Sequence, residues 1–288
     1  MLETLALANW HGPYDAEVKA RAVSALERGA VLLFPNLPFA LRDTEKKFLD
    51  ARVSDGKAKN ISLDHSTGKM HASSLTGEDA AQLAAMIERF GSGAAQLVHD
   101  LLPYRDVERA RTSYRPVQVK GRSYSKISDD RLLHVDAFPS RPMQKGRRIL
   151  RFFANVAPSS ARNWEVGEPF EDFARRFLPR LKPSTPGKSW LYGALGVTRG
   201  MRSRYDELML ALHDTGKLDE DFQKNSPHQA VSFPAGSCWM TFTDQVLHAA
   251  LGGEFALEQT FHLDIDQLVE PDRAPLRVLE RLSGKALA

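Results

Sequence analysis

The sequence predicts a mainly β fold with flanking helices: a helical first third, then many short strands forming an antiparallel sandwich with helices packed on one sheet. Three observations carry this. Apolar residues recur at helical spacing through the first hundred positions. From about Arg109 the period shortens to that of strands, punctuated by Gly and Pro turn signals. The composition of the 288 residues is ordinary for a globular chain, 42% hydrophobic, 26% charged and 9% aromatic. That excludes a disordered chain, a collagen-like repeat and a coiled coil. The length fits two domains or one elaborated domain, and we read one: 1–105 mostly helical, 106–266 the β core, 267–288 a terminal helix.

Taken in order, Asp15 to Arg28 carries Val18, Ala22 and Leu26 on one face and stops at Gly29. Ala30 to Phe34 reads as a short buried strand before Pro35. Thr44 to Ala51 is a short helix. Thr76 to Phe90 is a stronger one, with Thr76 and Asp79 spaced as a capping pair and Leu83, Met86, Ile87 and Phe90 facing inward. A further helix covers Ala94 to Leu102 and ends before Pro103. Strands follow at Arg115–Val119, Leu132–Asp136, Ile149–Val156, Ser189–Leu195, Ala230–Phe233, Cys238–Phe242, Gln245–Leu251 and Phe255–Ile265. One helix, Ser203 to His213, interrupts them.

Several function classes fall away early. A single cysteine, Cys238, excludes an internal disulfide and a multi-cysteine metal site. Residues 1–10 have no basic region and too short an apolar run for a signal peptide, and no stretch approaches 18 apolar residues. A cytoplasmic protein is expected. The net charge of +3 permits an acidic substrate or an anionic membrane surface. It falls short of a nucleic-acid footprint, and no aromatic–basic motif supplies one. No obligate protein partner is evident.

The informative tripeptide is His134-Val135-Asp136. On a strand, residues i and i+2 point to one face, so an imidazole and a carboxylate project together. A second histidine would complete a 2-His-1-carboxylate facial triad, which suits Fe(II) and leaves positions open for oxygen and substrate. His248 is the choice for that ligand: it lies late in the chain on an expected strand, just before the Gly252-Gly253 turn. His262 competes, but its mid-strand place fits a core or lumen histidine better.

With these residues the chain resembles the Fe(II)/2-oxoglutarate-dependent dioxygenases, which fold as a double-stranded β-helix (a jelly-roll, cupin-like core) with H-x-D near the second strand and the distal histidine near the seventh. The resemblance implies Fe(II), 2-oxoglutarate as co-substrate, O2, and ascorbate as reductant in vitro. The separation of about 110 residues between the motifs implies an insert over about 161–226. One departure stands out. Most members carry an arginine about ten residues after the distal histidine to pair with 2-oxoglutarate, and here Glu258 and Gln259 stand there. Strand parity puts Arg151 and Asn155 on one face with Ile149 and Phe153, so Arg151 is taken as the clamp and Asn155 as its assistant. Tyr124, ten residues before His134, and Thr260, sharing a face with Glu258 and His262, are further co-substrate candidates.

Longer stretches, Lys57–Ser62, Leu132–Pro142, Arg151–Val156, Ser203–Leu210 and Leu257–Phe261, resemble the bacterial Kdo 3-hydroxylases. These act on the 3-deoxy-D-manno-oct-2-ulosonic acid of lipopolysaccharide. That resemblance implies Kdo-lipid A or a related acidic sugar as substrate, with Arg141, Lys57 and Lys59 as cationic contacts. It also implies a peripheral encounter with the inner face of the inner membrane. Competing readings are a 2-oxoglutarate enzyme acting on another small metabolite or a protein, separated by a succinate-release substrate screen, and a non-enzymatic β-sandwich binding acidic glycans or lipids, which would show no iron dependence.

Overall fold

In the computed structural model, residues 1–119, 125–138, 143–181 and 202–288 are described. Their elements are β1 (Leu2–Thr4), α1 (Ala16–Glu27), β2 (Val31–Phe34), β3 (Ile61–Leu63), β4 (Met70–His71), α2 (Gly77–Leu101), β5 (Glu108–Arg115), β6 (Arg148–Asn155), β7 (Arg162–Gly167), α3 (Phe170–Phe177), α4 (Arg204–Leu218), α5 (Glu220–Asn225), β8 (His228–Phe233), β9 (Cys238–Phe242), β10 (His248–Gly252), β11 (Ala256–Leu263) and α6 (Pro275–Ser283).

Alternation along the strands builds two layers. The larger sheet runs β1-β2-β9-β6-β11-β5-β3-β4, and the smaller runs β10-β7-β8. His134 bridges His248, so the segment with the H-x-D motif borders the smaller sheet at β10. The antiparallel run β5-β11-β6-β9 faces β10-β7-β8 across a cavity of about 730 Å³, with Ser113, Arg151 and Glu258 on one wall and Trp164 and His248 on the other. This is the jelly-roll core that the sequence predicts. Leu257, Phe261 and Leu263 of β11 point the other way into the apolar core. There α2 packs its buried face of Leu83, Ile87, Phe90 and Leu97 against β5 and β11.

The differences from expectation have physical causes. The two helices expected on either side of Gly91 are one helix, α2. Gly91 marks a close approach rather than an end: a Cβ there would lie 2.1 Å from Arg109 Nη2, 2.4 Å from Thr112 Oγ1 and 2.7 Å from Gln259 Oε1. Thr76 caps α2 with no side-chain hydrogen bond, and Asp79 instead pairs with Lys47 at 2.6 Å. The strand expected at Arg115–Val119 lies upstream as β5, where Ala110, Thr112 and Tyr114 supply the buried alternation. Leu132–Asp136 makes a single bridge rather than a ladder. The expected insert from 161 opens on a core strand, since Arg162, Trp164 and Val166 of β7 face inward; the helices α3, α4 and α5 follow it. The strand expected at Ser189–Leu195 lies outside the described residues.

Candidate metal and co-substrate site

The segment from Asp130 to Asp136 is tied down on both sides. Ala250 N–H donates to Asp130 O at 2.7 Å, His134 and His248 exchange backbone bonds at 3.1 and 2.9 Å, and Asp136 N–H donates to Thr243 O at 2.7 Å. Gln223 of α5 clamps Leu133, accepting from its N–H at 2.8 Å and donating to its carbonyl at 2.9 Å. This frame brings His134, Asp136 and His248 together, with ligand atoms all within 4.8 Å of one another. Among the described residues they form the one cluster of this kind. His262, the competing histidine, lines the same cavity but lies outside that cluster.

The imidazoles are oriented by their other nitrogen. Nδ1 of His134 lies 2.7 Å from Leu132 O, and Nδ1 of His248 lies 2.9 Å from Val246 O. A carbonyl only accepts, so each Nδ1 carries the proton and each Nε2 keeps its lone pair for a metal. Burial and the neighbouring His248, Lys217 and His213 hold His134 well below the ordinary 6.5. Burial likewise lowers His248, although Asp136 opposes it. Burial would raise Asp136, but the Arg151 guanidinium beside it and the adjacent histidines outweigh that and hold it ionised. Neutral imidazoles and a carboxylate are the protonation states a divalent ion requires. Asp136 Oδ1 lies 3.9 Å from His134 Nε2 while Oδ2 faces Arg151 at 3.1 Å, so Oδ1 is the oxygen turned towards the imidazoles as a ligand atom. The residues therefore fit a facial-triad metal.

Below this triad the cavity is layered by strand register. Thr260 pairs with Arg151 near the metal level. Two residues on, roughly 7 Å along the strands, lie Phe153, Glu258 and Ser113 in one row, with Trp164 opposite Ala250. Trp164 stacks on His248 at 5.1 Å and 26°, and Phe153 meets Trp164 edge-on at 5.1 Å. One layer further, Arg115 pairs with Ala256, and Arg162 donates to Gly253 O at 2.9 Å. The small Ala256 side chain leaves room there, and the floor of the cavity is cationic.

The sequence-derived candidates separate in this frame. Arg151 and Thr260 line the cavity. Arg151 already faces two carboxylates, Asp136 Oδ2 at 3.1 Å and Glu258 Oε1 at 3.3 Å. Asn155 is corrected: its side chain donates to Ser160 O and Phe233 O and accepts from Ala157 N–H, so it pins the β6–β7 turn instead of reaching the cavity. Lys57 is also corrected, being exposed and away from the cavity wall, whereas Lys59 lines it and pairs with Asp130 at 2.7 Å. Tyr124 and Arg141 lie outside the described residues. Gln259 points outward into the network with Thr112 and Arg109 under α2.

Sequence reasoning missed Arg115, Asp130, Arg162, Trp164 and Lys217. Arg162 and Trp164 had a readable signal, since Arg-Asn-Trp-Glu-Val-Gly alternates with period two. Lys217 had none, because its burial comes from the docking of α4.

The comparisons agree with this geometry. A family model described as 3-deoxy-D-manno-oct-2-ulosonic acid (Kdo) hydroxylase matches residues 9–286. Among solved structures, the chain is similar to the Kdo hydroxylase KdoO, a non-heme Fe(II) alphaketoglutarate-dependent dioxygenase, in complex with alphaketoglutarate and Fe(III). That match has 43% identity, a TM-score of 0.95, and coverage of 100% of this chain and 97% of the other. The cobalt(II) complex of KdoO matches at 45% identity and TM-score 0.95, covering 99% and 97%. No curated protein matches significantly. With the family model spanning nearly the whole sequence and the fold superposing end to end, the chain belongs to the Kdo hydroxylase family.

Proposed function

We propose that the chain is an Fe(II)/2-oxoglutarate-dependent dioxygenase that hydroxylates carbon 3 of the Kdo sugar carried by lipid A. The observation that carries this reading is the cluster of His134, Asp136 and His248 at the head of a cavity with a cationic floor, in a chain of this family. Bound there, Fe(II) with 2-oxoglutarate and O2 supplies the oxidant for inserting one oxygen into a substrate C–H bond, with succinate and carbon dioxide as co-products.

The chain's residues do the rest. His134 and His248 present Nε2, held by their carbonyl-bonded Nδ1. Arg151 orients Asp136 and keeps it ionised. A dicarboxylate held at the metal level would extend past Trp164 and Phe153 towards the floor, where Arg162 would meet its far carboxylate. Arg151 is the poorer clamp, because a third carboxylate beside Asp136 and Glu258 would repel both. Trp164 and Phe153 exclude water around the reacting atoms.

Two exposed apolar side chains favour an amphiphilic substrate. Ile127 lines the cavity and is 42% exposed, and Leu218, directly after the cavity residue Lys217, is 50% exposed. No helix among the described residues is long and apolar enough to cross a membrane, so contact with the inner leaflet would be peripheral, from the cytoplasmic side. The test is mass spectrometry of Kdo-lipid A incubated with enzyme, Fe(II), 2-oxoglutarate and ascorbate. One added oxygen on the Kdo unit is expected. A protein that binds iron and 2-oxoglutarate yet leaves Kdo-lipid A unchanged would sink the substrate assignment and leave the dioxygenase chemistry.

A further inference from the structure

The charge inside the cavity does not balance without a substrate. Six cationic side chains line it (Lys59, Arg111, Arg115, Arg151, Arg162 and Lys217) against four carboxylates, Asp130, Asp136, Asp214 and Glu258, and Arg111 meets a fifth, Asp64, at 3.9 Å beyond the lining. A divalent ion and a dicarboxylate co-substrate cancel one another, so an excess of one positive charge remains.

That excess is concentrated around Asp130. Lys59 Nζ lies 2.7 Å from Asp130 Oδ1, and Arg115 Nη2 lies 3.5 Å from Asp130 Oδ2. Arg115 is further held by Asn60, whose Oδ1 accepts from its Nε at 2.7 Å. Burial would raise Asp130, yet Arg115 and Lys59 hold it far below the carboxylate range. Lys217 is the third cation. It sits in the last turn of α4, is 3% exposed, and donates to Ile127 O at 2.9 Å. Among the described residues no carboxylate oxygen lies within ion-pair distance of its ammonium. Burying an ammonium with one carbonyl partner is costly, and an anionic ligand would offset that cost. The position suits a substrate as well: Ile127 at the mouth is on one side of Lys217, and the charges of Asp136 and Asp130 act on it from within.

We propose that Lys217, with Lys59 beside it, binds the carboxylate of the sugar-acid substrate and thereby fixes which ring carbon faces the metal. This assignment rests on the reading that the substrate is Kdo. It separates two carboxylate sites in one cavity: the floor at Arg162 takes the co-substrate, and the wall at Lys217 and Lys59, whose charge Arg115 supports through Asp130, takes the substrate. Lys217 belongs to a helix outside the jelly roll, so substrate choice is carried by the insert and co-substrate choice by the barrel.

The test pairs a side-chain change with a substrate change, using the full chain loaded with Fe(II). Lys217→Met and wild type are assayed on Kdo-lipid A and on its Kdo methyl ester, and 2-oxoglutarate affinity is read from the absorption band of the anaerobic complex. Lys217→Met should raise KM for Kdo-lipid A tenfold or more, with the absorption titration within about twofold of wild type. Wild type should lose a similar factor on the ester, and the variant should lose little more, since the interaction is already gone. Lys217→Arg should recover part of the loss. If Lys217→Met fails to fold, Lys59→Met on the same two substrates decides, with the same non-additivity expected. An unchanged KM, or losses that multiply, overturns the assignment. Wild type that binds iron and 2-oxoglutarate but oxidises neither substrate overturns the Kdo reading, and this assignment with it.

Discussion

At the scale of single residues, the two histidines set the chemistry through their hydrogen bonds. His134→Ala and His248→Ala should each abolish stoichiometric Fe(II) binding with circular dichroism unchanged, while His262→Ala should retain it; iron affinity lost only in His262→Ala would reverse the choice of ligand. The lowered folded-state values of His134 and His248 also fix a sign. Between those values and the ordinary 6.5 the unfolded chain holds more protons than the folded one. The metal-free protein should therefore lose stability as pH falls through about 6.5, and His134→Asn should flatten part of that slope in thermal melts. The clamp is tested at the same scale. Arg162→Met should raise the 2-oxoglutarate requirement steeply, and Arg151→Met should weaken iron binding more than co-substrate binding; the opposite ranking would return the clamp to Arg151. The triad was legible in the sequence because strand parity puts His134 and Asp136 together. Arg151 was legible as a cavity residue on the same ground, but its two carboxylate neighbours come from other strands and leave no local trace.

At the scale of elements, the site depends on close approaches beneath it. Gly91→Ala improves helix propensity by about 1 kcal/mol. The added Cβ would nevertheless enter the Arg109–Thr112–Gln259 network at 2.1 to 2.7 Å, and overpacking of that kind costs about 1–3 kcal/mol. A net loss in denaturant midpoint is expected, and unchanged stability would show that the helix shifts freely. On β6, Arg148 faces away from the cavity and pairs with Asp244 at 2.7 Å, both fully buried. Asp244 follows Thr243, which accepts the backbone bond of Asp136. Arg148→Met should cost about 3–5 kcal/mol by stranding that carboxylate, with iron affinity falling as the loop loosens. Strands β6, β9 and β11 were readable from alternation and turns. β7 was not recognised, because the wide gap between the metal motifs made its region look like an insert.

At the scale of the whole molecule, the mouth and the cavity divide the work. The jelly roll supplies the metal ligands and the floor, while Ile127, Ser128 and the α4 residues Leu210, His213 and Lys217 line the remaining wall; Ile127 stands exposed there, and Leu218 stands exposed at the end of α4. Ile127→Ser combined with Leu218→Ser should lower turnover of Kdo-lipid A in vesicles several-fold and leave a delipidated Kdo oligosaccharide nearly unaffected. Equal losses on both substrates would place these residues in sugar binding instead. Ligand occupancy should also reach the global fold. Fe(II) and 2-oxoglutarate at a hundredfold excess over their dissociation constants should each add about 2.7 kcal/mol by mass action, seen as a higher melting temperature that chelation removes.

The stack of Trp164 on His248 has an optical consequence. An indole 5.1 Å from a ligating imidazole lies well within the range over which an open-shell ion drains an excited state. Trp239 is set one ring further back, in parallel contact with Phe233 at 4.0 Å. Emission from Trp164 should therefore dim as Fe(II) or Co(II) enters and persist with Zn(II), whose filled d shell offers no such route. The protein carries a built-in lamp for its own metal. A Trp164→Phe variant that binds iron with the same fractional dimming as wild type would show that the light comes from elsewhere.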